Sequence, residues 1–302
     1  MSSAIGTYPR ELVEYCSHMA SLASTATARE ATEFKPGNAN RFRDLPTVGF
    51  SELVLSATLS VPYYWRACVY GYYGKKGVYR PLYESILEVQ RAGVRFSILG
   101  TAILLYPLLY ESPNASSSRE LTAKASQLVR ALDEEEAEWF LKAVSLIPPS
   151  YLGKLEGGKD YREFKGTLTE LLAFSANYDE VVKDLFEGYR LSLRVADSIR
   201  RNGVTSAYLE LLCEVPDTLI MRKHGARRAV EVSRMACEAL SGLLPLQELD
   251  SYLVKEGLNP GSTADIIASA LFLVMYDEWW SIHPDYKGYL RKGCSRVTRT
   301  DS

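Results

Sequence analysis

Three stretches of this chain carry charged and polar residues in arrangements that helix packing alone does not require. The first has Glu30 near the end of a predicted helix and a Lys-Pro-Gly-Asn turn at 35–38. A carboxylate at a helix C-terminus faces the negative end of the helix dipole, which costs about 0.3–1 kcal/mol. The pattern therefore indicates either a cation that compensates this charge from outside the helix, or simply a solvated helix end before a turn.

The second stretch runs from 216 to 225, and its proline suits the first position of a helix. Asp217 suits the positive N-terminal turn. On such a helix Asp217 and His224 share one face, while Thr218 and Arg222 share the adjoining face. This row of polar groups indicates ligand contact, and a capped helix with a basic last turn is the alternative.

The third stretch is a polar loop, Asn259-Pro260-Gly261-Ser262, which opens an apolar helix. A glycine-containing loop at a helix N-terminus exposes N–H groups that bind anions. Asp265 lies three residues after Ser262, a spacing that also suits a capping box. Anion binding and simple capping both stay open here.

Helical periodicity dominates the sequence around these stretches, and the alternation typical of strands is nearly absent. The apolar run at 96–110 is shorter than the roughly 20 residues of a membrane span, so it is predicted to be a buried core helix. We predict an all-α fold, a single globular multi-helix domain over 1–286 with a basic, loosely ordered tail over 287–302. Further helices are predicted over 11–33, 50–59, 79–92, 119–132, 134–146, 179–200, 226–243 and 262–276.

Composition narrows the class of protein. The 302 residues include 35 Lys and Arg against 37 Asp and Glu, so no basic field favours nucleic acid. A hydrophobic content of 47% excludes a largely disordered chain. No secretory signal or membrane segment is evident. The five cysteines are scattered without a Cys-x-x-Cys pair, which predicts reduced thiols in a cytoplasmic protein rather than disulfides or a zinc site.

In this order and in a helical chain, the three stretches resemble the triphosphoribosyl-dephospho-CoA synthase family, most closely its archaeal-type branch. The enzymes of this family build the prosthetic-group precursor of citrate lyase and malonate decarboxylase. Glu30, the turn at 35–37 and Asp44 match one family motif. The Asp-Thr pair with a later arginine and glycine matches 217–225, and Pro-Gly-x-x-Ala-Asp matches 260–265.

The resemblance implies a transferase that takes ATP and 3′-dephospho-CoA, breaks the bond between adenine and ribose, and joins the triphosphoribosyl group to a ribose hydroxyl. Positive charge develops at the anomeric carbon, which a carboxylate stabilises while another accepts the hydroxyl proton. The catalytic residues it implies are Glu30, Asp44, Asp217 and Asp265, with Asp217 and Asp265 as ligands of Mg²⁺. The substrate- and nucleotide-binding residues it implies are Lys35, Gly37, Asn38, Arg43, Ser97, Thr218, Arg222, Lys223, His224, Asn259, Gly261 and Ser262.

Phe96 departs from the family pattern, because it occupies the position of an asparagine, with Ser97 at that of a threonine. An aromatic ring cannot replace the hydrogen bonds of an amide. The alternative function is therefore a nucleotide- or CoA-binding homologue with an altered acceptor or lost turnover. A third candidate function is that of a helical interaction scaffold, suggested by the aromatic residues of 63–73. Otherwise we expect small-molecule partners, a homodimer, and no nucleic acid or membrane.

Overall fold

The computed structural model of the protein describes residues 8–148 and 164–290. In this part of the chain the secondary structure is helical, and the only β-type pairing is an isolated bridge between Asn40 and Arg43. The predicted all-α fold is confirmed. The helices are α1 Arg10–Thr32, α2 Phe50–Leu59, α3 Val61–Tyr72, α4 Arg80–Arg91, α5 Leu99–Glu111, α6 Ser118–Val129, α7 Glu134–Ser145, α8 Leu168–Ser175, α9 Glu180–Phe186, α10 Arg190–Asn202, α11 Val204–Glu214, α12 Thr218–His224, α13 Ala226–Leu240, α14 Leu246–Lys255 and α15 Gly261–Ile282.

Helix α15 is the centre of the fold and packs against α1, α5, α10 and α11. Its segment 266–274 is buried throughout and apolar apart from Ser269, as expected of a helix surrounded by others. Helix α5 is buried from Thr101 to Tyr110 with Pro107 inside it, which confirms the predicted core helix over this run. Among the described residues, no helix has both the length and the apolar character that a membrane crossing requires.

The predicted single helix over 179–200 is wrong, because the chain turns in the middle of this stretch. Gly188 and Tyr189 both have positive φ, 88° and 60°, and separate α9 from α10. The buried carboxylate of Asp184 accepts hydrogen bonds from the backbone N–H groups of Leu191 and Ser192. Asp184 thus caps the first turn of α10, an interaction that the apolar stripe alone does not reveal.

Four of the five cysteines form disulfides, so the prediction of reduced thiols is wrong for them. Cys16 in α1 is bonded to Cys68 in α3, and Cys213 in α11 is bonded to Cys237 in α13. The partners are 52 and 24 residues apart in sequence and meet only because their helices pack together. The cysteines therefore give no support to a cytoplasmic location. Cys294 lies outside the described residues.

The predicted tail over 287–302 falls mostly outside the described residues, which end at 290. Leu290 itself is buried and belongs to the hydrophobic core. Regular packing therefore continues for a few residues beyond the predicted end of the domain.

Candidate active site

A cavity of about 80 Å³ lies where the end of α1, the starts of α5 and α15, and one side of α12 come together. A single water needs about 10–15 Å³ on this scale. The cavity therefore has room for a group the size of a purine ring or a ribose, and it is too small for a whole nucleotide. The predicted site residues that line it are Glu30, Asn38, Ser97, Lys223, Asn259, Gly261 and Asp265.

Lys35 is fully buried beneath the cavity and is the compensating cation that the sequence left open. Its Nζ lies 3.0 Å from Glu30 Oε1 and 3.2 Å from the carbonyl oxygen of Glu33, and it also donates to the carbonyl of Glu30. These contacts use the three hydrogens of the ammonium group. Lys35 therefore closes the C-terminus of α1 and holds Glu30 at the cavity wall, and it does not itself line the cavity.

The turn that follows is held against α14 by Asp250, which the sequence analysis did not single out. Asp250 accepts from the backbone N–H of Gly37 at 2.9 Å and from both terminal nitrogens of Arg43, at 2.6 and 2.7 Å. Gly37 has φ +81°, and a Cβ there would lie 2.9 Å from the carbonyl oxygen of Leu258. Gly37 and Arg43 thus shape the turn behind the cavity. Asp250 looks like any other acidic residue of an amphipathic helix, so no local signal marks it.

Asp265 projects from the first turns of α15 to the first turn of α5. Its Oδ1 accepts from the backbone N–H of Thr101 at 2.8 Å and from the Thr101 hydroxyl at 2.7 Å. Gly100 makes this approach possible, because a Cβ at that position would lie 2.1 Å from Asp265 Oδ2. Among the described residues, no hydrogen-bond donor reaches Oδ2, and the residue lines the cavity. Gly100 and Thr101 were missed in the sequence, although a Gly-Thr pair opening an apolar helix is a visible signal.

Both cavity carboxylates have perturbed pKa values. Burial raises the pKa of Asp265 to about 7, and the nearby charge of Glu30 adds to the rise. The hydrogen bonds from Thr101 oppose it. Burial also raises the pKa of Glu30, while the Lys35 ammonium opposes that rise. At the cavity mouth, partial burial lowers the pKa of Lys223, and the neighbouring charge of Arg222 lowers it further. The cavity thus combines two carboxylates in different surroundings, which is typical of acid–base sites.

Asp217 has a different position, behind the cavity wall. Its Oδ1 accepts from the backbone N–H groups of Leu219 and Ile220, and its Oδ2 from the N–H and hydroxyl of Thr263. Thr218 donates to the hydroxyl of Ser262, so this pair is also engaged within the fold. The 217–225 and 260–265 motifs are therefore brought together by capping contacts. The structure places Asp217, Thr218 and Ser262 next to the cavity without exposing them in it.

The remaining predicted residues lie elsewhere. Asp44 is exposed and accepts from the backbone N–H of Phe50 at the start of α2, and His224 is exposed at the end of α12. Arg222 faces the other side of α12, where it pairs with Asp179 at 2.5 Å and borders a second cavity of about 710 Å³. The structure thus separates Asp217 from His224, and Arg222 from Lys223, although each pair is close in sequence or on one predicted face.

Phe96 is 2% exposed and belongs to the hydrophobic core, so its ring does not occupy the cavity. Ser97 and the following four residues form that part of the wall. The reason for expecting lost turnover was an aromatic ring in a ligand position. The structure does not place it there.

The implied Mg²⁺ can be tested against the oxygens available. Among residues 8–148 and 164–290, no three His, Cys, Asp or Glu side chains converge as a set of metal ligands. Both oxygens of Asp217 already accept two hydrogen bonds each, whereas Glu30 and Asp265 line the cavity. Mg²⁺ is commonly held by one or two carboxylates together with substrate phosphates. The donor set therefore fits a cation that arrives with a triphosphate and is held mainly by the phosphate oxygens, rather than one bound by these side chains alone.

Comparison with known proteins gives the family of this chain. The model of the ATP:dephospho-CoA triphosphoribosyl transferase family matches residues 16–284. The chain belongs to this family. A crystal structure from Archaeoglobus fulgidus, provisionally assigned as a triphosphoribosyl-dephospho-CoA synthase, is similar over 74% of this chain and 98% of its own, with a TM-score of 0.61 and 25% identity. A comparison with curated proteins finds no match.

Family membership confirms the resemblance carried by the three motifs, and it identifies the protein as a transferase of the triphosphoribosyl class. Nothing in the described structure favours the non-catalytic alternative or the interaction scaffold. Of the aromatic residues at 63–73, Tyr64 and Tyr72 are buried and the others pack partly against the core. Their main role is therefore packing.

Proposed function

We propose that this protein transfers the triphosphoribosyl group of ATP to 3′-dephospho-CoA in the cavity between Glu30 and Asp265. The observation that carries this proposal is that these two carboxylates, from the first and third family motifs, line one small cavity. The cavity accepts one ring of a nucleotide. The triphosphate then extends past Lys223 at its mouth.

The reaction exchanges one bond for another at the anomeric carbon of ATP. The bond from that carbon to adenine breaks, and the electron pair leaves with the base, which takes up a proton. A bond from the same carbon to a ribose hydroxyl oxygen of dephospho-CoA forms, and the hydroxyl proton is lost. A site for this exchange needs one group that gives a proton, one that accepts a proton, and negative charge near the carbon.

The surroundings of the two carboxylates support a division of these tasks between them. Asp265 has a pKa of about 7, so a substantial fraction carries a proton at neutral pH and can give it to the departing adenine. Glu30 lies 3.0 Å from the Lys35 ammonium, and this ion pair opposes the rise in the pKa of Glu30 that burial causes. Glu30 therefore stabilises the positive charge at the anomeric carbon and accepts the hydroxyl proton. Asp217 acts as a positioning residue that joins α12 to α15.

Magnesium accompanies the triphosphate in this proposal, since several negative charges must enter a site that already has two carboxylates. Removal of Mg²⁺ with EDTA should abolish adenine release from ATP. The homodimer and the cytoplasmic location stay predictions.

The test is chromatographic measurement of adenine released from ATP in the presence of dephospho-CoA and Mg²⁺. The wild type should release adenine only when the acceptor is present, and Glu30→Gln should lower kcat by roughly 10²–10⁴-fold. Glu138→Gln is the matched control, because Glu138 is an exposed residue of α7 with a side chain 70% exposed. Equal rates for Glu30→Gln and the control would remove Glu30 from the mechanism.

A further inference from the structure

One wall of the cavity contains a buried amide with an oxygen that has no partner. Asn38 is 4% exposed and lines the cavity, and its Oδ1 accepts no hydrogen bond within the described residues. Buried carbonyl oxygens of side chains are nearly always hydrogen-bonded, so an exception in a ligand cavity requires a reason. The other polar atoms of Asn38 are all engaged, which makes the free oxygen stand out.

The orientation of this amide is fixed by its neighbours. Asn38 Nδ2 donates to Asn259 Oδ1 at 2.7 Å and lies 3.3 Å from the carbonyl oxygen of Pro260. A backbone carbonyl can only accept, so the nitrogen must point to Pro260 and the oxygen must point away. The backbone of Asn38 is also held, through the Lys35 carbonyl and the Arg43 guanidinium. Asn38 is thus rigid, and its one unused atom is an acceptor.

The missing partner must therefore donate a hydrogen, and it must be small enough to enter the cavity with Asp265. The two carboxylates already provide charged acceptors for hydroxyl groups, whereas Asn38 provides a neutral one. Asparagine amides pair with the amino group of adenine, which is a neutral N–H donor. In hypoxanthine and guanine a carbonyl oxygen occupies that position and would face the Asn38 oxygen with no hydrogen between them.

We propose that Asn38 accepts a hydrogen bond from the amino group of the adenine of ATP and thereby makes the transfer specific for adenine as the departing base. This inference rests on the proposed function, since it places the departing base in the cavity of Asp265. The amide of Asn259 and the carbonyl of Pro260 act as positioning groups for Asn38. The contact is assigned to the donor nucleotide, because the proposed function places the base of ATP in the cavity that Asn38 and Asp265 both line.

The experiment compares base release from ATP and from ITP, in which a carbonyl replaces the amino group, with dephospho-CoA and Mg²⁺ constant. The wild type should prefer ATP in kcat/KM by roughly 100-fold or more, and Asn38→Ala should reduce this preference below about 10-fold. Asn177→Ala is the matched control, because Asn177 is exposed near α8 and should keep the wild-type preference. Dividing the ATP preference of one variant by that of another cancels the different intrinsic reactivities of the two bases.

Two further comparisons test whether another group donates the hydrogen bond to Asn38. If Asn38→Ala changes the preference for ATP over 2′-deoxy-ATP instead, the partner is a ribose hydroxyl and the proposal is overturned. A change confined to a hypoxanthine analogue of dephospho-CoA would assign the contact to the acceptor, which also overturns it. If Asn38→Ala does not fold, the preference for ATP over ITP is compared between the wild type and Asn38→Ser instead. Equal use of ATP and ITP by the wild type refutes the inference.

Failure of the proposed function is distinguishable from failure of this inference. A wild type that releases no adenine from ATP contradicts the proposed transfer. Calorimetric titration with ATP and with ITP then tests the Asn38 contact independently of turnover. Tighter binding of ATP that Asn38→Ala removes supports the contact, and equal binding of both nucleotides overturns it.

Discussion

Asp217, just before α12, and Asp265, in the first turns of α15, have similar hydrogen-bonding environments, and one difference between them bears on their roles. Each accepts a hydrogen bond from the backbone N–H and the hydroxyl of a threonine in the first turn of another helix, Thr263 for Asp217 and Thr101 for Asp265. The second oxygen of Asp217 also accepts two N–H groups, from Leu219 and Ile220. The second oxygen of Asp265 accepts none within the described residues.

Under the proposed function, a motif aspartate can take part in catalysis only if its capping contacts leave one of its oxygens without a protein donor. Burial raises the pKa of both residues, and for Asp217 the hydrogen bonds from Thr263 and Ile220 and the charge of Arg222 oppose the rise. Asp217 therefore joins α12 to α15, and Asp265 presents an oxygen to the cavity. The difference can be tested by removing each feature separately.

The largest effect is expected for Asp265→Asn. The amide oxygen can still accept from Thr101, so the fold should persist, but the group can no longer give a proton. We expect kcat for adenine release to fall by roughly 10²–10⁴-fold with little change in melting temperature. The control is Glu138→Gln. Wild-type turnover in Asp265→Asn would end the distinction between the two aspartates.

Gly100→Ala should give the next largest effect, through Asp265 alone. The new Cβ would lie 2.1 Å from Asp265 Oδ2, so the carboxylate must move. Displacement of a reacting group by about 1 Å costs on the order of 100-fold in rate. Gly288→Ala is the matched control, since a Cβ there meets no atom within 4 Å. Unchanged adenine release in Gly100→Ala would show that the position of Oδ2 does not matter.

Asp217→Asn should affect stability rather than chemistry. Replacing one oxygen by an NH₂ group leaves at least one buried N–H donor without an acceptor, at a cost of about 1–3 kcal/mol in the free energy of unfolding. Urea denaturation measures this loss, and adenine release at low temperature should stay near the wild-type rate. Loss of turnover in a fully folded Asp217→Asn protein would instead show that Asp217 is a catalytic residue.

The smallest effect is a pH slope in stability. The pKa of Asp265 is about 7 in the folded protein against an ordinary 3.8, so the folded state holds a proton that the unfolded chain has released between these values. The free energy of unfolding therefore falls as pH rises through this window, by at most about 1.4 kcal/mol per pH unit from this group. Asp265→Asn should show a shallower slope than the wild type in urea denaturation, and identical slopes would contradict the raised pKa.

Much of the fold was predictable because helices follow from the local periodic spacing of apolar residues. The stripes at 11–33, 50–59 and 134–146 became α1, α2 and α7 with ends shifted by a residue at most. The failures share a cause, which is contact between distant residues. Asp184 divides one predicted helix, and the disulfides pair cysteines that only helix packing brings together.

By itself the sequence determined the helical class, the family, and the three motifs that supply the site, because these depend on residue types and their order. It also indicated the carboxylate at the end of α1, with a compensating cation as one of two interpretations. Only the tertiary structure decided which motif residues face the cavity. Whether a carboxylate or an amide keeps a free oxygen depends on the donors that other helices bring to it, and no local pattern records those donors. Asp265, Glu30 and Asn38 were left facing the cavity, and Asp217, Lys35 and Arg43 were used to build its walls.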